Sequence, residues 1–202
     1  MVSDDLLEVV NHEVWFEPYN GRIVLKWGHY PRVDGKLDPL CITRAFALAD
    51  GKVTPVFVGL DKSTKDGLFV EFEEANALAI EYDRGLYSLT SDGKWIFGRN
   101  VPAKYSVEEV RHVLGFAKIH LDSDVKPLGL ELEIALNGGV EVLFRGELID
   151  AKVKLRNSKD SFELEAGDKV EFADGVNVLS ARFVDDLGFV RRSLVTTLTV
   201  LV

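Results

Sequence analysis

The sequence predicts a mainly β protein: two antiparallel, sandwich-like domains with one α-helix ahead of their junction. Three observations carry this. Short apolar runs in period-2 alternation recur along the chain, bounded by Gly, Asn and Asp. One segment, residues 106 to 121, has apolar residues at 3- and 4-residue spacing instead. A polar stretch with Pro127 and Gly129 then separates two strand-rich halves.

The first alternating run is "GRIVLKWGH", with Ile23, Leu25 and Trp27 set against Val24 and Lys26. Asp50-Gly51 divides the next pair of runs and suits the positive φ of a tight hairpin. Runs at 69–72, 77–82, 87–90 and 95–97 follow, broken at Asn76, Asp83-Arg84-Gly85 and Ser91-Asp92-Gly93. The helix is expected from Val107, Val110, Val113, Leu114, Ala117 and Leu121, with Ser106 and Glu109 as a capping box. After the 122–129 linker, some seven short strands fill the remainder, the size of a small immunoglobulin-like or transthyretin-like sandwich. The expected domains are 1–125 and 126–202.

With 24 Lys and Arg against 33 Asp and Glu, the net charge of −9 argues against nucleic acid as a partner, since phosphate binding needs clustered cations. No apolar run approaches the roughly 20 residues of a membrane span. Cys41 is the sole cysteine, which excludes an intrachain disulfide and thiolate zinc motifs. No Gly-x-Ser-x-Gly elbow or Gly-rich phosphate loop is present, so the chain is not expected to be an enzyme.

The stretch "NHEVWFEPYNGRIVLKWGHYP" holds two of the four histidines. Counted outward from a turn between Asn20 and Gly21, His12 and His29 are equidistant and would face each other across a ladder. Two neutral imidazoles there suit Ni²⁺, Co²⁺, Cu²⁺ or Zn²⁺, with Glu13, Glu17, Asp34 and Asp38 as carboxylate candidates for the remaining positions. The competing reading is two surface histidines bonded locally. Glu109-x-x-His112 has the helical spacing of carboxylate–histidine metal sites but occurs once, and a solvated helix face accounts for it. Trp15, Tyr19, Trp27, Tyr30 and Trp95 read as core aromatics before they read as a sugar platform.

Three stretches resemble one family of otherwise unassigned domains, described as periplasmic components of ABC-type cobalt and nickel transport systems. His12, Glu13, Trp15, Phe16, Pro18, Gly28 and His29 are similar to the start of its mature domain. Residues 110–136 and 140–155 are similar to its helix, linker and next strands, and "RRSLVTTLTVLV" to its closing strand. The resemblance implies a binding protein for nickel or cobalt, a membrane transporter as partner, and a location outside the cytoplasm. Family members carry an export signal before the His-aromatic segment, whereas residues 1–10 here, "MVSDDLLEVV", have none of its features. The alternative is a structural or protein- and glycan-interaction module without metal.

Overall fold

The computed structural model describes residues 12–60, 67–98, 100–122, 126–188 and 190–202. Residues 1–10, with the question of an export signal, lie outside these. Strand β1 (Glu13–Tyr19) turns at Asn20-Gly21 into β2 (Arg22–His29). Both turn residues have positive φ, 50° and 73°, the backbone that matches the twist of a two-residue hairpin. The chain folds back again as β3 (Arg32–Gly35), then passes through a 3₁₀ turn at Pro39–Cys41 into β4 (Ile42–Ala49). Asp50-Gly51 makes a second such turn, leading to β5 (Lys52–Pro55). Next come β6 (Phe57–Gly59), β7 (Leu68–Glu71), β8 (Ala77–Thr90), β9 (Trp95–Phe97) and β10 (Val107–His120). The second half adds β11 (Leu132–Leu136), β12 (Val140–Phe144), β13 (Glu147–Leu148), β14 (Val153–Arg156), β15 (Ser161–Leu164), β16 (Val176–Asp186) and β17 (Val190–Leu201).

These strands form three sheets. A central sheet runs β15-β14-β16-β17-β10-β8-β4-β5, with β9 beside β8. A second sheet, β1-β2-β7-β6 with β3 on β2, covers part of one face, and β11-β12-β13 covers part of the other. Successive residues of the central strands therefore enter different cores. Leu78, Ile80, Ala117, Ile119 and Val195 pack with Val14, Phe16 and Leu25 of the second sheet. Their neighbours Ala79, Phe116, Leu194 and Leu198 pack with Leu132, Ile134 and Val142 of the third.

That two-sided burial corrects the expected helix. Among the described residues there is no α-helix, and 107–120 is a strand. It pairs antiparallel with β8 and parallel with β17. A strand buried on both faces carries a near-continuous apolar run, and such a run also places residues at 3- and 4-residue spacing. The capping box does not form: the Ser106 carbonyl accepts from Ser91 N at 3.0 Å, and Glu109 bonds Arg111 beside it.

Gly115 is required at the centre of this strand. A Cβ there would lie 1.9 Å from the ring of Tyr82, the residue directly across the ladder. Tyr82 is itself fully buried and has no room to retreat. Gly115→Ala is expected to destabilise the protein by about 1–3 kcal/mol, the usual cost of overpacking, read as a lowered denaturation midpoint at unchanged slope.

The expected junction near 125 falls at 123–125, outside the described residues. Strands from both sides of it share the central sheet, because β10 lies parallel to β17 from Val110↔Val190 to Ile119↔Thr199. The described part of the 122–129 stretch is anchored rather than loose. Glu133 of β11 accepts the Gly129 and Leu130 amides at 3.0 and 3.2 Å, and the Leu128 amide as well. The same carboxylate receives Lys118 Nζ of β10 at 2.6 Å, both side chains being fully or almost fully buried. Lys118 is held below the ordinary lysine range because burial disfavours its charge more than Glu133 restores it.

Candidate metal centre

The β1–β2 ladder sets the site. Its register pairs Glu13 with Gly28 and Tyr19 with Arg22, so His12, one residue before Glu13, comes opposite His29. Their rings lie 4.7 Å apart, and His12 stacks on Trp27 at 4.1 Å and 23°. β1 cannot slide, for two reasons. Glu13 is fully buried against Arg156 and, at 3.0 Å, Arg182 of the second half. The outer edge of β1 is also satisfied by threonines of β17: Phe16 N donates to Thr199 Oγ1 at 3.2 Å, and Thr197 Oγ1 donates to the Val14 carbonyl.

The third residue arrives on β3, which turns back after Tyr30-Pro31 and pairs Gly28 with Val33 and His29 with Arg32. A register shift between Trp27 and Gly28 accompanies the turn. Asp34 Oδ2 then stands 3.0 Å from His29 Nδ1 and 3.4 Å from His12 Nε2. One donor atom from each of the three side chains lies within 4.8 Å of the others, and among the described residues this is the one such group of three. The side chains are 12, 17 and 21% exposed, half-sheltered but open to solvent.

Arg32 completes the cluster. Its Nε is 2.8 Å from Asp34 Oδ1, and its Nη2 is 3.3 Å from His29 Nδ1 and 3.4 Å from Asp34 Oδ2. His29 Nδ1 serves one partner at a time: protonated it donates to Asp34, unprotonated it accepts from Arg32. Burial pushes the Asp34 carboxyl upward, but the hydrogen bonds from His29 and Arg32 outweigh it and hold the group below the usual carboxylate range. Asp34 is thus ionised at neutral pH.

Of the four carboxylates expected near the histidines, Asp34 alone joins them. Glu13 is committed to its two arginines. Glu17 accepts from Trp15 Nε1 at 3.1 Å, and Asp38 caps the 3₁₀ turn through the Leu40 amide at 3.0 Å. The Glu109/His112 pair is not a site: on a strand these residues point to opposite faces, and His112 Nε2 is engaged by Asp83 at 2.8 and 2.9 Å. His120 is buried at the end of β10. Trp15 and Tyr30 belong to a small core with Val178. Arg32 and the stacking role of Trp27 escape a spacing argument. Their signal is the hairpin around Tyr30-Pro31, which folds the segment after His29 back onto it.

Gly28 makes this fold-back feasible. Its φ is 150°, and a Cβ would lie 2.4 Å from the Arg32 carbonyl and 2.7 Å from the Asp34 amide, both backbone atoms. Gly28→Ala must displace β3 and carry Asp34 away from His29. The expected result is a loss of about 1–3 kcal/mol of stability together with weaker metal binding, read by thermal melts and calorimetric titration.

No protein-family model, curated protein or solved structure matches this chain. Among the described residues no helix is long and apolar enough to cross a membrane.

Proposed function

We propose that the chain is a non-catalytic protein that binds a divalent transition metal, nickel or cobalt, at His12, His29 and Asp34. The observation that carries this reading is the spacing of the donor atoms. Two ligands bonded at about 2.1 Å to one ion stand roughly 3.0 Å apart at a right angle and roughly 3.4 Å apart at the tetrahedral angle. The two Asp34–imidazole distances, 3.0 and 3.4 Å, span that interval. The three donors together lie within 4.8 Å, so the two imidazoles must close on each other to share one ion. Two imidazoles and a carboxylate suit several first-row ions, and the choice of nickel or cobalt rests on the family resemblance. So does the role in uptake, in which the protein would hold the ion outside the cytoplasm and deliver it to a membrane transporter.

The finer architecture belongs to the same proposal. Each half reads as a two-layer sandwich, the second of immunoglobulin or transthyretin type with β11–β13 over β14–β17, the halves joined edge to edge through β10 and β17. The packing of Leu132 and Val142 on Leu155 and Leu179 supports this, in a core that Phe46, Ala79 and Phe116 of the first half extend. A metal-free interaction module is the second reading. It draws on Phe57 of edge strand β6, 61% exposed and tilted against Phe69.

Titrating tag-free protein with Ni²⁺, Co²⁺, Cu²⁺ and Zn²⁺ in a calorimeter at near-neutral pH separates the two. The metal reading requires a saturable one-to-one isotherm for at least one ion. Flat traces for all four leave the interaction module.

A further inference from the structure

We propose that Arg32 is a built-in counter-ion that occupies a coordination vertex of the metal position between loadings and must be displaced for that vertex to be filled; this rests on the metal reading above. Two of the three donor atoms, His29 Nδ1 and Asp34 Oδ2, lie 3.3 and 3.4 Å from Arg32 Nη2. These are the separations that a fourth ligand of a bound ion would have from them. A guanidinium has no lone pair to offer a metal, so its nitrogen blocks that vertex rather than completing it. The guanidinium is also a rigid planar fork. Moving Nη2 out of the vertex therefore strains the Nε contact to Asp34 Oδ1 at 2.8 Å as well.

Charge points the same way. Without an ion, Arg32 neutralises Asp34 and donors that would otherwise face one another are held together. With a dication seated, a guanidinium within about 4 Å would be repelled. Arg32 is 59% exposed and can swing into solvent without disturbing the core. The device suits a protein that must release its ion: when the metal leaves, a side chain of this chain returns to Asp34, so the empty state is stabilised and the affinity is held down. The alternative role, a group that merely orients Asp34 for the metal, makes the opposite forecast.

The test compares wild type, Arg32→Ala, Arg32→Gln and Arg32→Lys by calorimetric titration with Ni²⁺ and Zn²⁺ alone, fold being checked by circular dichroism. Removing the charge should tighten binding roughly two- to fivefold, the scale of one partly exposed ion pair, in both the alanine and the glutamine variants. The lysine variant should stay closer to wild type. Unchanged or weaker binding in the alanine and glutamine variants, with wild type binding normally, would overturn the counter-ion and leave the metal site standing. Isotherms that are flat for all four proteins would overturn the metal site itself, and the counter-ion with it.

Discussion

Replacing both His12 and His29 with alanine should abolish the metal isotherm, and either single replacement should come close to doing so. Each change removes a ligand from a set in which only three are visible, so the loss should exceed the roughly 10–100-fold typical of a group that only supports a ligand. Asp34→Asn keeps the shape but removes the charge and should weaken binding in the same direction. His112→Ala is the control and should change nothing, since that imidazole is engaged with Asp83 on β8. The pH dependence follows from the same groups. An imidazole must be neutral to ligate, so binding displaces protons and affinity should fall as pH is lowered below neutral. Asp34, held below the usual carboxylate range, does not contribute until much lower pH. An isotherm in the double variant indistinguishable from wild type would refute the assignment.

Glu133→Ala should be the most damaging single change to stability, at about 3–5 kcal/mol, the cost of leaving one member of a buried ion pair alone. The carboxylate holds Lys118 Nζ at 2.6 Å and three consecutive amides, Leu128 to Leu130. Its removal leaves the buried Leu130 amide without that acceptor and, among the described residues, Lys118 Nζ with only the Lys126 carbonyl at 3.4 Å. The pH sign is informative. With Glu133 absent the carboxylate that raises the Lys118 pKa against burial is gone, so the folded-state value falls further below the unfolded one. Stability of the variant should then rise with pH as the unfolded lysine also deprotonates, and the gap to wild type should narrow toward pH 10. Equilibrium denaturation at pH 7 and pH 10 measures both effects. A midpoint within about 0.5 kcal/mol of wild type at pH 7 would show that the pair contributes little.

Much of the candidate site was legible because hairpin register is local. Asn20-Gly21 fixes the turn, the turn sets the ladder, and counting outward brings His12 to His29. Asp34 was named only as one of four carboxylates, since all four lie close in sequence and nothing in their spacing separates them. What separates them is where each carboxylate is spent: Glu13 on arginines from strands more than 140 residues on, Asp38 on a turn amide, Glu17 on Trp15. Arg32 was missed for a related reason. A surface arginine has no periodicity, and its meaning comes from the groups it faces.

The segment 107–120 marks the boundary between the two kinds of information. The sequence by itself determined that the protein is mainly β, that its tight turns sit at Asn20-Gly21 and Asp50-Gly51, and that two histidines share one hairpin. These are matters of backbone φ and alternating burial within a few residues. Only the tertiary structure decided that "VLGFAKIH" is a strand, because the partners that satisfy its backbone are β8, before it, and β17, some eighty residues after it. An apolar run covered on both faces carries no period of its own. Its backbone hydrogen bonds go to whichever neighbours the rest of the chain supplies, and here those neighbours are strands.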